Sequence, residues 1–498
     1  MGRQRGRSLQ THFRVLRRIA LAACFSAGIS HQVLASPWAE VGDTQLRSDL
    51  ELLAERGLID NITTQWPLPW ASIVPRLRAV SLVDEPKFVQ EAIARVLYIA
   101  GAETDIGHVQ IGASTDITNA PGIIRDFGAL GLEDVQTQLT AEYLGYSTAV
   151  RLAAGFQIDH HSGRVEFDPD GSYVAQRMDF AVLYAGYLTH WWGPGWISAL
   201  SLSNNARPFP QIGIQRSETS ASGSPLLSWL GPWQAEFIVG WFDDRRVATN
   251  TLWDGFRFTF SPLPGLEVGL GRSDELCGKG HPCKPLATYF DLTNTNSHPS
   301  RTNDEGLIDL KYTGAIGETP FSLYTQVMNE DTNPFWHSKS SHLFGTSVWI
   351  PAVNHLRLTL EYANTIATLN IVPFTDYIYG ETYNDYKYPR DGMRYDGRAL
   401  GFSLDSDSRL FSVQAGYLDS FGRSYTLTLH RAEVSTPRTG TANPLTTSPV
   451  TIDMLEGRVR LPLPGMTFDL AARVQDDQFR PKRGFAAALE TALRIVTD

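Results

Sequence analysis

The sequence predicts an all-β transmembrane barrel of about 18 antiparallel strands with a small α-helical region at its N-terminal side. From about residue 105 onward, apolar and polar side chains alternate with a period of two, which is typical of strands. Many of these segments approach the ~9–11 residues that a tilted membrane strand needs. Short turns also alternate with long polar stretches, as they do in outer-membrane barrels.

Residues 1–35 are predicted to form an export signal. Six arginines and no acidic residue precede a short apolar run at 19–29, and small residues follow at a suitable cleavage position. The run is too short to span a bilayer, so we expect the segment to be removed. Removal leaves 37 basic and 53 acidic residues, a net charge of −16, and we therefore expect no nucleic-acid partner.

Residues 36–100 have a helical pattern that the rest of the chain lacks. Leu46, Leu50 and Leu53 recur at helical spacing, and a second amphipathic helix is predicted from Asp84. Short helices of this kind cannot bury their apolar faces alone. We expect them to lie against a larger surface.

Residues 101–498 are assigned to the barrel on their two-residue alternation. One clear example places Leu356, Leu358 and Leu360 on one face of a strand and Arg357 and Thr359 on the other. A secreted β-sandwich or propeller is the alternative fold, although no fixed repeat period supports a propeller.

A tryptophan cluster, followed by two asparagines and an arginine, interrupts the strand pattern near the middle of the chain. Glycine and proline between the tryptophans indicate a tight, irregular turn. One interpretation is an aromatic-packed corner. The other is a sugar-binding wall, in which the rings stack on pyranose faces and the polar side chains bind hydroxyls or carboxylates. The candidate residues are Trp191, Trp192, Trp196, Asn204, Asn205 and Arg207.

The stretch 366–395 is a second candidate for polysaccharide contact. Six of the eighteen tyrosines lie in it, between residues 377 and 395, interleaved with charged side chains. Tyrosine offers a flat apolar face and a hydroxyl at low entropic cost, which suits sugar binding. A packed extracellular loop without a ligand is the alternative interpretation. The candidate residues here are Tyr379, Tyr383, Tyr386, Tyr388, Arg390 and Arg394.

Cys277 and Cys283 are the two cysteines that remain after the signal, and they are predicted to form a disulfide in an exported protein. A zinc site is a weaker interpretation, because His281 is one possible further ligand and no fourth is evident. No serine, histidine and acid can be tied together as a catalytic set. We therefore predict no metal, no cofactor and no catalytic residue.

Several segments, taken in order, make the chain resemble the Wzi-type capsule assembly proteins. The central segment is Trp192-Gly193-Pro194-Gly195-Trp196, followed by Ser203-Asn204-Asn205-Ala206-Arg207-Pro208. Before it come Val41-Gly42-Asp43, Leu46-Arg47-Ser48-Asp49-Leu50-Glu51-Leu52-Leu53-Ala54 and Trp66-Pro67-Leu68-Pro69-Trp70. After it come Leu230-Gly231-Pro232-Trp233, Asp243-Asp244-Arg245, Tyr395-Asp396-Gly397-Arg398 and Gly401-Phe402-Ser403-Leu404-Asp405-Ser406-Asp407-Ser408-Arg409. Each segment alone is weak, but their order along the chain is specific.

The resemblance implies an outer-membrane barrel of about 18 strands, closed on its periplasmic side by residues 36–100 as a helical plug. It also implies a surface lectin that binds and retains capsular or exopolysaccharide during capsule assembly, without catalysis. The expected surroundings are outer-membrane lipid and the barrel-insertion machinery, and a monomer is expected. An outer-membrane channel or porin is the alternative function.

Overall fold

The computed structural model describes residues 37–498 with eleven gaps, and the predicted signal lies outside the described residues. Within the described part, eighteen antiparallel strands close into a barrel, which confirms the predicted fold class. The gaps are 161–162, 280–282, 284–302, 331–338, 352–354, 386–387, 389–390, 437–442, 447, 477–484 and 498.

The wall strands follow one another in up-and-down order, and the last pairs with the first. Two short segments, Val165–Asp168 and Tyr377–Ile378, pair with the third and thirteenth wall strands. In chain order the wall strands are β1 (Val109–Thr118), β2 (Val135–Leu144), β3 (Thr148–Ile158), β4 (Tyr173–Arg177), β5 (Ala181–Gly186), β6 (Gln211–Arg216), β7 (Trp233–Phe242), β8 (Thr251–Leu263), β9 (Leu266–Leu276), β10 (Asn303–Ile316), β11 (Thr319–Asn329), β12 (Ser340–Ile350), β13 (Leu356–Thr368), β14 (Arg409–Leu418), β15 (Ser424–Val434), β16 (Val450–Leu463), β17 (Met466–Asp476) and β18 (Phe485–Thr497).

The wall has its apolar side chains outside and its polar side chains inside. In β13, Leu358 and Leu360 are 41% and 44% exposed, whereas Arg357, Thr359 and Glu361 are buried. This is the inverse of a water-soluble protein and matches a barrel whose outer face meets lipid. Other exposed leucines on the wall are Leu139, Leu152, Leu270, Leu310, Leu323, Leu427, Leu455 and Leu489.

The lengths of the connections give the barrel its orientation. Turns such as 264–265 and 464–465 join strands at one end, whereas long loops such as 187–210 and 369–408 join them at the other. Short turns are periplasmic and long loops extracellular in barrels of this kind. Because β1 begins at the short-turn end, the region before it enters from the periplasm. Among the described residues, no helix is long and apolar enough to span a membrane.

Three helices form the N-terminal region: α1 (Thr44–Glu55), α2 (Trp70–Arg78) and α3 (Lys87–Glu103). Asp43 caps α1 by accepting hydrogen bonds from the backbone N–H groups of Gln45 and Leu46, which have no partner within the helix. The predicted second amphipathic helix corresponds to α3, which begins three residues after Asp84. Apolar faces of the three helices pack into one cluster.

The polar lumen of the wall binds this N-terminal region closely. The carboxylate of Glu267 accepts hydrogen bonds from the backbone N–H groups of Thr63 and Thr64 at 2.8 and 2.9 Å. The ammonium group of Lys311 lies 2.6 Å from Glu51 and 3.0 Å from the Thr63 hydroxyl. Contacts with the N-terminal region thereby pair these charged groups of the lumen, Glu267 and Lys311, in the interior.

A long loop enters the lumen from the extracellular end and meets the N-terminal region. Trp191 and Trp192 pair as a short antiparallel strand with Trp66 and Gln65. The lumen is therefore filled from both ends of the barrel.

The wall also holds this inward loop directly. Glu361 accepts hydrogen bonds from the backbone N–H groups of Trp196 and Ile197 at 2.7 and 3.2 Å. Gln326 accepts one from the N–H of Leu200 at 2.8 Å. Side chains from two wall strands, β11 and β13, thus fix the path of the loop inside the barrel.

Candidate functional site

At the extracellular mouth three long loops, in their described parts, fold against one another: 119–134, 187–210 and 379–408. The Asn204 amide donates to the carbonyl of Asp126 at 2.9 Å, and the Asn205 amide donates to the carbonyl of Ala399 at 2.8 Å. Each asparagine therefore joins two loops. These two candidate residues therefore connect the loops of the mouth, because their side-chain N–H groups donate to backbone carbonyls.

The three candidate tryptophans lie in the interior. Trp191 and Trp192 are 0% exposed and Trp196 is 1% exposed. The Trp196 ring lies beneath two guanidinium groups, with Arg47 at 4.3 Å and Arg357 at 3.2 Å from the ring centroid. This arrangement corresponds to the packed-corner interpretation, because rings buried on all sides cannot stack on a sugar in this conformation.

Arg207 lies at the mouth, but its charge is compensated by neighbouring carboxylates. Its guanidinium is 3.0 Å from Asp170 and 3.6 Å from Asp168. Burial raises the pKa of Asp170 to about 6, although Arg207 acts to lower it. Arg207 therefore organises an acidic surface rather than offering an unpaired cation to a ligand.

Further carboxylates surround Arg207 and form a surface that we call the mouth cluster. The Tyr395 hydroxyl donates to Asp243 at 2.6 Å, and the backbone N–H of Asp396 donates to Asp244 at 3.2 Å. Asp243 and Asp396 are exposed. The pKa of Asp244 is raised to about 6, chiefly by burial, with Arg246 acting to lower it and the charges of Asp396 and Asp391 acting to raise it. The mouth cluster comprises Asp170, Arg207, Asp243, Asp244, Tyr395 and Asp396.

Two candidates from the tyrosine-rich stretch, Tyr383 and Arg394, also stabilise the loops from inside, as the two asparagines do. Tyr383 is fully buried, and its hydroxyl donates to the carbonyl of Leu200 in the inward loop. Arg394 is 2% exposed, pairs with Asp405, and donates to the side-chain oxygen of Asn384 at 2.8 Å. Both side chains anchor the third mouth loop.

The remaining tyrosine-rich candidates divide into two groups. Tyr379 and Tyr388 are half-buried near the extracellular end. Tyr386 and Arg390 lie outside the described residues. Of the twelve candidates, Tyr379 and Tyr388 are therefore the described aromatic side chains with a partly exposed surface.

Composition and residue spacing alone do not identify the mouth cluster as a candidate site. The segment Asp168-Pro169-Asp170-Gly171 has the composition of a simple turn. A signal is nevertheless present, because Asp243, Asp244, Tyr395 and Asp396 all lie in the segments that carry the family resemblance. Two pairs of adjacent residues, 152 positions apart in sequence, meet there only because the loops fold together.

In the described part of the chain, no group of three or more histidine, cysteine, aspartate or glutamate side chains is placed to hold a metal ion. The structure joins Cys277 and Cys283 in a disulfide. A disulfide leaves neither sulfur as a thiolate ligand.

A barrel with an apolar outer wall, whose lumen holds an N-terminal helical region and an inward extracellular loop, is a barrel of the bacterial outer membrane. The family model described as capsule assembly protein Wzi matches residues 110–479, which is more than half of the chain. The chain belongs to this family, and the resemblance noted in the sequence is confirmed.

Two relatives illustrate the similarity. An uncharacterised 55.8 kDa protein in the cps region of Klebsiella pneumoniae is 27% identical over 336 residues, covering 66% of this chain and 65% of the relative. The solved structure of Escherichia coli Wzi has a TM-score of 0.76 at 21% identity, covering 93% of this chain and 99% of that one. That protein is described as an outer membrane protein involved in group 1 capsule assembly and as a carbohydrate-binding β-barrel.

Proposed function

We propose that the protein is a surface lectin of the outer membrane that binds capsular or exopolysaccharide and retains it at the cell surface. The observation that carries the proposal is the extracellular mouth, where Asp243, in the segment 243–250 between β7 and β8, and Asp396, in the loop 379–408, have exposed carboxylates. Family membership supports the same function. Retention of a polymer breaks no covalent bond, so we propose no catalytic step.

The chemistry of the mouth cluster suits sugar hydroxyls. A carboxylate accepts hydrogen bonds only, and each sugar hydroxyl can donate one. Tyr187 is half-buried and lies within electrostatic range of Asp170, Asp243 and Arg207. Its ring offers an apolar face beside the acceptors, the combination with which proteins bind pyranose rings. We propose Tyr187, Asp243 and Asp396 as the central contacts.

The charge of the mouth cluster limits which part of a polymer can lie on it. Four aspartates are accompanied there by two arginines, Arg207 beside Asp170 and Arg246 beside Asp244, and the chain without its signal is strongly acidic. Acidic groups on a polymer would be repelled at this position. We therefore propose that uncharged, hydroxyl-rich sugars occupy the cluster and that any carboxylates of the polymer lie away from it.

The surroundings of the protein follow from the same proposal. The apolar outer wall would be solvated by outer-membrane lipid, and the closed barrel would require the barrel-insertion machinery for assembly. We propose that it acts as a monomer, since the up-and-down wall closes on itself within one chain.

The test is binding of the source cell's purified surface polysaccharide to a conservative double variant, Asp243→Asn with Asp396→Asn. We expect affinity to fall about tenfold, because charge-assisted hydrogen bonds to hydroxyls are replaced by weaker ones. The matched control is Asp105→Asn, whose carboxylate is 62% exposed at the periplasmic end. Equal affinities for the double variant and the control would remove the mouth cluster as the binding surface.

A further inference from the structure

A short segment of the longest extracellular loop lies on the outside of the barrel rather than over its mouth. We call residues 369–376 the outer flap. Three of its apolar side chains are exposed, with Leu369 at 52%, Val372 at 51% and Phe374 at 57%. Three apolar side chains exposed together in eight residues would be unfavourable in water, and they indicate an apolar neighbour.

The outer flap continues the lipid-facing wall toward the extracellular side. The Phe374 ring is 6.0 Å from that of Phe344 in β12, with the two rings nearly parallel, and 5.9 Å from that of Tyr362 in β13. Both partners alternate with buried lumen residues and so belong to the outer face of the wall. The flap is therefore an extension of an apolar surface that already contacts lipid.

Two arginines lie on the same outer face, Arg409 on the strand next to β13 and Arg431 one strand further on. Arg409 begins β14 and lies 3.4 Å from Glu433, and Arg431 in β15 lies 3.3 Å from Asp453. The Arg409 guanidinium also lies 5.0 Å from the ring of Tyr377, which directly follows the flap. The Arg431 side chain is 63% exposed.

The two arginines lie at the height along the barrel wall where the apolar outer surface ends. One step closer to the periplasm on the same outer face, Phe411, Val413 and Leu429 are exposed apolar residues. Because β14 and β15 have their extracellular ends at residues 409 and 434, the arginines are at the outer-leaflet end of the wall. Charged side chains at this level face lipid headgroups, whereas the same charges at mid-wall would face acyl chains.

Both guanidinium groups keep donors for an additional anion. Arg431 contacts Asp453 through Nη1 alone, at 3.3 and 3.4 Å. Arg409 contacts Glu433 through Nη1 at 3.4 Å. A guanidinium carries five N–H donors in a planar fork that matches a phosphate, and in both arginines these long contacts use Nη1 only, so that Nη2 is left for a phosphate.

We propose that Arg409, Arg431 and the outer flap form a binding site for a phosphorylated lipid of the outer leaflet. The lipid phosphate lies against the two guanidinium groups, and its acyl chains cover Phe374, Val372 and the adjoining wall. The site faces sideways into the membrane and does not depend on polysaccharide binding at the mouth.

The test measures binding of purified lipid A, with its phosphates intact, to the full-length mature protein in detergent by native mass spectrometry. We expect Arg409→Gln with Arg431→Gln to weaken binding about tenfold, through loss of charge-assisted hydrogen bonds to phosphate. Arg423→Gln is the matched control, since Arg423 is 43% exposed and paired with Asp419 at a periplasmic turn. The control should bind as the parent does.

Two further arms separate a lipid site from a simple anion site. Dephosphorylated lipid A should bind the parent about tenfold more weakly, and excess inorganic phosphate should not displace intact lipid A. Phe374→Ser should weaken lipid binding while heat-modifiability and polysaccharide binding stay unchanged. Equal binding of lipid A to the double variant and the parent would overturn the proposal, as would equal binding with and without the lipid phosphates.

Discussion

Arg47 contacts both segments that occupy the lumen, the N-terminal region and the inward loop 187–210. Its replacement by methionine tests whether each segment stabilises the other. The side chain is 0% exposed and extends from α1 to the inward extracellular loop. Its guanidinium pairs with Glu51 at 2.9 Å and donates to the carbonyls of Pro194 and Gly195 at 2.8 and 2.9 Å. It also lies over the Trp196 ring.

Arg47→Met fills similar volume but removes every one of these polar contacts. Two buried carbonyls lose a charged donor, and Glu51 keeps Lys311 as its cationic partner. Removing one member of a buried ion pair costs about 3–5 kcal/mol. We expect the free energy for local opening of the N-terminal region to fall by that amount.

The assay is hydrogen exchange read by mass spectrometry on the protein in detergent, with α1 and residues 190–200 as reporters. Both segments should exchange faster together, since one side chain stabilises both. Lys87→Met is the control, because Lys87 is 90% exposed and its partner Glu91, 3.4 Å away, is 43% exposed. An exposed pair contributes less than about 1 kcal/mol.

Unchanged protection of both segments in Arg47→Met would refute the reasoning. Faster exchange of α1 alone would also contradict it, since the inward loop would then be held independently of the N-terminal region.

Three further outcomes follow from the structure. Trp192→Ala with Trp196→Ala should lower the free energy of unfolding of the barrel by several kcal/mol, as expected for buried aromatic side chains. Polysaccharide affinity per folded molecule should stay unchanged, and a selective loss of affinity would restore the sugar-wall interpretation. Burial holds the pKa of Asp244 at about 6, above the ~3.9 of an unfolded aspartate. The protonated carboxyl therefore makes its full contribution to the stability of the fold below pH ~4, and this contribution is lost as the pH rises through 6. Asp244→Asn should therefore flatten the decline of melting temperature between pH 4 and 6.5, and an identical decline in both proteins would contradict this. In planar bilayers the purified parent should give no large steady conductance, and such a conductance would favour the porin alternative.

The wall of the barrel could be predicted from the sequence because alternation is a local property. Leu356 to Thr359 alternate apolar and polar side chains whatever lies around them, and β13 places the two sets on opposite faces. The polar set predicts a polar interior but not what fills it. That Glu267 binds the backbone of Thr63, some 200 residues away, depends on barrel register and on the depth of the plug.

The site could be predicted only in part, since its residues come from loops whose paths are not periodic. The tryptophan cluster was correctly located as a tight turn between strands, but its burial depends on an inward fold of residues 187–210 that no local pattern encodes. Tyrosine content likewise does not distinguish Tyr383, which anchors a loop from inside, from Tyr379 near the surface. The exposed aspartates of the mouth cluster become neighbours only in three dimensions.

The most direct test of the proposed function is binding of the source cell's own purified surface polysaccharide to the detergent-solubilised mature protein. An unrelated polysaccharide serves as the control, and heat-modifiability verifies that the barrel is folded. We expect saturable binding of the first polymer and none of the second. Equal binding of both polymers, or no binding by a folded barrel, would contradict a surface lectin.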